Sequence, residues 1–384
     1  MFDRFKHFLA QFQSSDNSVV GVDIGSAYLK VVQLRRKSGK AILETYGSLA
    51  LGPYAGIEIG RATRLPSDKI TEAILDLIRE AHITTSRGAF SIPFASSLVT
   101  AMDMRVLDVK NLAIAVPIEA RKYVPVPISE VNLDWWIIPE EPGAIATTEE
   151  KTFADTPLPA RADLELGEGE EGPKAMKILI AAIHNEALSR FQDIVKGSTL
   201  QSSFFEIELF STIRSLLPQD LLPHAVLDLG AGETKLYVID RGLVRFSHII
   251  NHGGQDITLA LSRSLGISVE EAEKQKRSRG LQGGPEEPSI SAILNLIFSE
   301  TNRALLSFEH RFGRKVENVI LSGGGANLIG IEPSAKKNCS VPILRADPFK
   351  EVEAPAFLND VLASVGPEFT VALGIAIRML QEGR

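Results

Sequence analysis

The sequence predicts an α/β fold built from two duplicated lobes, and three observations carry that expectation. The segment Asp23-Ile24-Gly25-Ser26-Ala27-Tyr28-Leu29-Lys30 returns 205 residues later as Asp228-Leu229-Gly230-Ala231-Gly232-Glu233-Thr234-Lys235. Asp, Gly and Lys hold the same places in both copies, and apolar runs flank each. A repeat this long implies paired lobes, because a solenoid repeats every ~20–50 residues. The 384-residue length is two to three times that of a usual ~100–200-residue domain. A third strand-then-glycine element, Val319-Ile320-Leu321-Ser322-Gly323-Gly324-Gly325-Ala326, closes the pattern.

Along the chain, Val19 to Ile24 reads as a strand, Gly25-Ser26 as a tight turn, and Leu29 to Leu34 as a second strand. After the turn at Lys37-Ser38-Gly39-Lys40, residues 41–51 supply a third. From Ser67, a candidate N-cap, Ile70, Ile74, Leu77 and Ile78 recur at helical spacing. Residues 88–139 mix short strands (Ala89–Ile92, Leu98–Met102, Asn132–Ile138) with a helix near Leu112 to Tyr123, which Pro125 and Pro127 must end. In 140–173 periodicity disappears. Ten acids face two bases there, and eight residues are Gly or Pro, so this stretch reads as a mobile surface insertion. A buried strand at Met176–Ala182 and a helix from about Asn185 to Lys196 follow. The second repeat continues as a meander, Leu236–Ile239 and Leu243–Phe246, and a short helix is expected at Asn327-Leu328-Ile329.

Composition excludes several classes. Hydrophobic residues make up 44% and charged residues 23%, as in an ordinary globular protein rather than a disordered or collagen-like one. The net charge of −7 and the lack of any Lys/Arg run longer than Arg35-Arg36-Lys37 argue against nucleic-acid binding. The insertion alone contributes −8, so the rest of the chain is nearly neutral. The single cysteine, Cys339, offers neither an intrachain disulfide nor a cysteine metal cluster and fits a reducing compartment. Apolar stretches such as Ile178–Ile183 fall short of the ~18 residues that would span a bilayer, and residues 1–9 do not read as a secretory signal, so the expectation is cytoplasmic.

The turns suggest phosphate chemistry. Glycines let backbone N–H groups approach a phosphate, and Ser26 or Thr234 can add a hydroxyl donor. Asp23 and Asp228, each just before a turn, cannot touch phosphate without repulsion, but each can hold a hydrated Mg²⁺. One hairpin from each lobe would grip a triphosphate from opposite sides, while Gly323, Gly324 and Gly325 let a flat base and ribose pass. Neither a Walker G-x-x-x-x-G-K-[ST] sequence nor a G-x-G-x-x-G after the first strand is present, which removes P-loop and Rossmann readings.

These residues resemble the actin-like ATPase superfamily and, within it, the PilM family of type IV pilus assembly proteins, related to FtsA. The resemblance covers most of residues 18–380. Asp23 to Lys30 is similar to the first phosphate loop, Asp228 to Thr234 to the second, and Ser322 to Ala326 to the adenosine loop. Glu119 to Asp134 (EARKYVPVPISEVNLD), Phe205 to Phe210 (FEIELF) and Gly253 to Thr258 (GGQDIT) are the more diagnostic segments. Glu273 and Lys276 match an A-E-x-x-K helix that touches ribose and adenine in relatives.

The resemblance implies an actin-like ATPase fold with an FtsA-type small subdomain inserted in the first lobe. Residues 18–88 and 191–223 would form the first lobe, 89–190 the small subdomain with the acidic loop 140–173, and 224–380 the second lobe, its outer part at about 256–312. Residues 1–17 would stand apart. ATP and Mg²⁺ are implied as cofactors. Nucleotide would be bound by Gly25, Ser26, Ala27, Lys30, Gly230, Ala231, Gly232, Thr234, Glu273, Lys276, Gly323, Gly324 and Gly325, with Asp23 and Asp228 holding the metal through water.

The implied partner is the N-terminal cytoplasmic peptide of PilN, held in a groove between the first lobe and the small subdomain. Through PilN the chain would join the PilN/PilO platform, peripheral to the inner membrane. The alternatives are a slow ATP hydrolase or small-molecule kinase of the same superfold, or the equivalent part of a type II secretion platform. Small oligomers stay open.

No catalytic residue is assigned. Glu206 and Glu208 fall where the interlobe helix should begin, and carboxylates are favoured in a first helical turn in any case. Trp135 and Trp136, adjacent in a strand, must point to opposite faces. His252 reads as a turn residue. Phe2, Phe5, Leu9 and Phe12 beside Arg4 and Lys6 fit either a membrane-surface helix or docking onto a lobe or a partner.

Overall fold

The structure is a computed structural model that describes residues 18–106, 111–138, 174–218 and 220–382. The expected N-terminal segment and the acidic insertion 140–173 lie outside the described residues. Two five-stranded sheets share one topology. In the first, β1 (Ser18–Ile24), β2 (Tyr28–Lys37) and β3 (Lys40–Ala50) form an antiparallel meander. β4 (Arg87–Ile92) then lies parallel to β1, and β8 (Gln201–Ile207) parallel to β4. The second repeats this with β9 (His224–Leu229), β10 (Thr234–Asp240) and β11 (Leu243–Ile250), followed by parallel β12 (Asn318–Ser322) and β13 (Ile343–Arg345). Asp23 pairs across its hairpin with Lys30, and Asp228 with Lys235. The sequence repeat is therefore a structural repeat in the same register.

A third sheet, all antiparallel, has the order β5 (Ser97–Val106), β7 (Lys174–His184), β6 (Val131–Ile138). Side chains alternate across it. Ile178, Ile180 and Ala182 pack with Met102 and Met104 beneath α2 (Leu112–Ala120). Leu179 and Ala181 join Val99 and Trp136 on the other face, against Val226, Tyr237 and Ile239 of the second lobe. Trp136 is buried with its ring edge on Phe210, while Trp135 sides with the α2 face, as alternation requires. The helix α2 stops at Ala120, short of the expected Tyr123. Its last turn tightens through Tyr123 N–H to the Ala120 carbonyl, before the Pro125 and Pro127 pair is reached.

Helix α1 (Ser67–Glu80) buries Ile70, Ala73, Ile74 and Leu77, the face its spacing predicts. Ser67 is not its cap. Pro66 occupies that position, and proline's fixed φ sets the entry without a side-chain bond. The short helix expected at 327–329 is instead a 3-10 turn at Gly324–Asn327 followed by α8 (Ile331–Asn338).

The lobes exchange more chain than the sequence suggests. Strand β4, expected to begin the small subdomain, belongs to the first sheet, and α3 (Asn185–Gly197) packs against α1. The C-terminal helix α10 (Thr370–Glu382), expected in the second lobe, covers the first sheet, where Ala372, Leu373 and Ala376 meet Val19, Val32 and Ala89. Gly21 permits this, because a Cβ there would collide with the Ala372 carbonyl. The helical run Ala356–Glu382 is long and apolar enough to cross a membrane by length and composition, contrary to the sequence expectation. Its last part, α10, is largely buried between the first sheet and α4 (Glu208–Leu216), which accounts for an apolar surface on most of its sides.

Candidate functional site

Two hairpin turns and one strand-to-turn corner converge on a cleft of about 830 Å³ between the lobes. In the first turn, Gly25 N–H donates to the Tyr28 carbonyl (3.0 Å); in the second, Gly230 N–H donates to the Glu233 carbonyl (3.1 Å). Each glycine is required by the tightness of its turn, since a Cβ would stand 2.9 and 2.6 Å from those same oxygens. At the corner, Gly323 adopts φ +79°, and a side chain there would run into Asp228 Oδ1. Gly325 is packed on Leu229, whereas Gly324 faces open space.

The cleft gathers every residue expected from sequence. Gly25, Ser26, Ala27 and Lys30 line one wall, Gly230, Ala231, Gly232 and Thr234 the other, and Glu273, Lys276 and Gly323 to Gly325 one end, with Asp23 and Asp228 at the turns. Ser26 is exposed to the cleft. Thr234 differs: its buried hydroxyl donates to the His252 carbonyl (2.8 Å), so it braces the second turn instead of presenting a free donor.

Each turn aspartate faces a lysine. Lys30 Nζ lies 3.2 Å from Asp23 Oδ2, and Ser91 Oγ donates to Asp23 Oδ1 (3.0 Å). Burial works against the Lys30 charge, but Asp23, Glu368 and Asp228 outweigh it and raise its pKa. Lys235 Nζ lies 3.7 Å from Asp228 Oδ2 and donates to Glu208 Oε1 of α4 at 2.8 Å. Its pKa is raised too, as burial is overcome by Glu208, Asp228 and Glu233. Burial pushes the Glu208 carboxyl upward, with Lys235 opposing and Asp228 and Asp23 adding to it.

Glu206 and Glu208 thus part company. Glu206, in β8 rather than in a helix, is clamped by Arg214 (2.7 and 2.8 Å), Arg378 (2.8 Å) and Ser211, away from the cleft. Glu208 opens α4 and lines the cleft, its Oε1 also accepting Phe94 N–H (2.6 Å).

Helix α6 (Val269–Arg279) supplies the expected Glu273 and Lys276. Glu273 Oε2 accepts from Lys276 (2.5 Å) and Thr258 (2.6 Å), and Oε1 from Arg277 (2.7 Å). Burial of Glu273 is outweighed by these donors, Lys276 first, so its pKa is lowered; burial lowers that of Lys276. Sequence reasoning names neither Arg277 nor Glu368, which line the cleft, and gives no role of its own to Tyr28 within the first turn segment. Tyr28 and Arg277 touch only because the lobes face each other, and no local spacing signals that.

Past the turns the cleft continues along Leu65, Ile70, Phe191 and Ile194, with Arg64 and Arg190 also lining it. Arg190 donates to the Leu65 carbonyl (2.6 Å). Among the described residues no cluster of three or more His, Cys, Asp or Glu is arranged to hold a metal by itself.

The family described as Type IV pilus assembly protein PilM matches residues 21–151 and 162–380. Cell division protein FtsA of Neisseria meningitidis serogroup B (strain ATCC BAA-335 / MC58) is 23% identical over 363 residues, spanning 85% of this chain and 82% of that protein. A solved PilM-PilN type IV pilus biogenesis complex is similar at a TM-score of 0.75 and 23% identity, covering 94% of this chain and 98% of that one. MreB5 of Spiroplasma citri bound to ADP is similar at a TM-score of 0.50 and 11% identity, covering 95% and 98%.

Proposed function

The chain belongs to the PilM family of type IV pilus assembly proteins, in the actin-like ATPase superfamily related to FtsA, and on that premise we propose that it is an ATP-binding adaptor. Nucleotide held between the lobes sets their angle, and the angle shapes a groove for the N-terminal cytoplasmic peptide of a PilN protein. The chain would thereby serve the PilN/PilO platform from the cytoplasmic side of the inner membrane.

The observation that carries this reading is the pair of duplicated glycine turns facing one another across the cleft, with the glycine corner at its end. The fit to ATP is supported by the open space over Gly324, where a flat group would rest, and by the exposed Ser26 beside Gly25. Gly25, Ser26, Ala27, Gly230, Ala231 and Gly232 would take the phosphates, with Lys30 adding charge; Glu273 and Lys276 would take the sugar side.

Asp23 and Asp228 suit Mg²⁺, which keeps several waters and uses one or two carboxylates beside phosphate oxygens. Such an ion neutralises phosphate charge when bound. Lys30, with Ser91, holds the Asp23 carboxylate in place, while Lys235, 3.7 Å from Asp228, balances that charge without a hydrogen bond. For the partner groove we favour the boundary between the first lobe and the small subdomain, where Arg64 and Arg190 line the surface over the buried Leu65, Ile70, Phe191 and Ile194. A small subdomain of FtsA type would then be formed by β5 to β7 and α2. The relative solved as a PilM-PilN complex supports the choice of partner, and the relative bound to ADP supports the choice of nucleotide.

The hydrolase reading has less support. Glu208 is the carboxylate best placed near the phosphate turns, yet one of its oxygens already accepts from both Lys235 and Phe94 N–H. A base so occupied is poorly disposed to take a proton from water. Isothermal titration of a PilN N-terminal peptide, with and without Mg-ATP, tests the adaptor reading; absence of binding in both conditions overturns it.

A further inference from the structure

We propose that Arg277 and Tyr28 form a clasp across the mouth of the cleft, which must open for nucleotide to enter or leave. The inference rests on reading the cleft as a nucleotide site, and it adds a gate to that reading. Arg277 Nη2 donates to the Tyr28 hydroxyl at 2.5 Å, and its guanidinium carbon lies 5.0 Å from the centre of the Tyr28 ring. One is a residue of the second lobe and the other of the first, 249 positions apart.

An isolated surface arginine contact contributes little, but this one is built from both sides. Arg277 Nε is anchored 2.7 Å from Glu273 Oε1, and Glu273 is itself held by Lys276 and Thr258. On the opposite side, Gly60 at φ +88° approaches so closely that a Cβ would stand 2.5 Å from the Glu273 carboxyl carbon. Beside it, Ala62 N–H donates to Gln255 Oε1 at 3.1 Å. Three contacts from Tyr28, Gly60 and Ala62 therefore rest on the two consecutive helices that begin at Gly254 and Val269.

Position gives the clasp its role. Tyr28 directly follows the turn Gly25-Ser26-Ala27, and Arg277 directly follows Lys276. The contact thus joins the phosphate turn of one lobe to the sugar-side helix of the other. At the floor of the cleft the lobes are tied by Lys235 and Glu208. With that tie in place, separation of the lobes is a hinge motion that the Tyr28 and Arg277 edge resists.

A gate and an ordinary ligand contact differ in kinetics. Loss of a contact to bound nucleotide speeds dissociation alone. Loss of a gate speeds association and dissociation together and leaves the equilibrium constant nearly unchanged. The test is stopped-flow binding of N-methylanthraniloyl-ATP with Mg²⁺ to the wild-type protein, Tyr28→Phe, Arg277→Gln and the double variant.

A hydrogen bond to a charged donor accounts for about a tenfold effect, so each single variant should raise both rate constants by about that factor, and the double variant no further. Unchanged rates, or a change in dissociation alone, overturn the clasp. Hydrogen exchange of the Ala62 amide, measured without nucleotide in the same proteins, reads the clasp independently. Exchange should quicken in both single variants, and equal protection in all four proteins overturns it. Failure of the wild type to bind the nucleotide defeats the nucleotide reading and with it the gating role, while Ala62 exchange still decides whether the lobes are clasped there.

Discussion

Lys235 of the second sheet donates to Glu208 of α4 at 2.8 Å, with both side chains almost entirely withdrawn from solvent. One residue belongs to the duplicated hairpin and the other to the helix that links the lobes, so this ion pair ties the second lobe to that helix within the cleft. Charges so buried are tolerated only in company, and removing one partner leaves the other uncompensated.

The Lys235→Met variant should lose about 3–5 kcal/mol of stability at neutral pH. Glu208 then stands buried without its cation, and its pKa rises further. A raised carboxyl pKa means that the folded state binds more protons than the unfolded one, so stability falls as pH rises. The deficit should therefore shrink as pH drops toward 5, and Lys235→Met with Glu208→Gln should recover part of it. Urea unfolding across pH checks this; a deficit that does not vary with pH contradicts the pairing.

Glu206 has the opposite sign. Burial would raise its pKa, but Arg214 and then Arg378, with Ser211, hold it below the ordinary carboxylate value. Its contribution is complete above the unfolded value of about 4.3 and is lost as pH falls through the lower folded value. Glu206→Gln should cost about 3 kcal/mol at pH 7 and flatten the acid limb of the stability curve. An unaltered acid limb would show that the cluster is not coupled to folding.

The glycine corner separates fold from ligand. Gly323→Ala forces a side chain onto Asp228 at a left-handed backbone position and should destabilise the protein by more than ~1 kcal/mol. Gly324→Val points into open space. It should leave the melting temperature near that of the wild type while weakening ATP binding about tenfold or more. Equal ATP affinity in Gly324→Val would remove Gly324 from the binding surface.

Cys339 should be a sluggish thiol. Burial pushes its pKa up to about 11, so little thiolate exists near neutrality. Alkylation by iodoacetamide at pH 7.5 should be much slower than for a free cysteine, and should accelerate on unfolding in urea.

The duplicated hairpins were legible in the sequence because Asp, Gly and Lys keep identical spacing in both copies, and that spacing is local. Their facing arrangement followed from the repeat distance. What crosses between lobes was not legible. Lys235 meets Glu208, and Arg277 meets Tyr28, through tertiary geometry that no periodicity encodes. The C-terminal helix was assigned to the second lobe by its place in the chain, whereas its apolar faces fit only the first sheet and α4, at an approach that Gly21 and Gly374 allow. Ser67 resembled a cap by residue type, but Pro66 had already fixed the entry of the helix. Thr234 resembled a ligand donor, and the strand brings its hydroxyl to His252.

Coupling between the nucleotide cleft and the partner groove is what distinguishes an adaptor that responds to ATP from one that merely holds it. Its most direct test is the affinity of the purified protein for a fluorescent PilN N-terminal peptide, measured by anisotropy without nucleotide, with Mg-ADP and with Mg-ATP. Binding should change at least fivefold between the nucleotide-free and Mg-ATP states, a coupling of about 1 kcal/mol, and should be lost in Arg64→Glu, an exposed position at the groove. Peptide affinity identical in all three states would contradict that coupling.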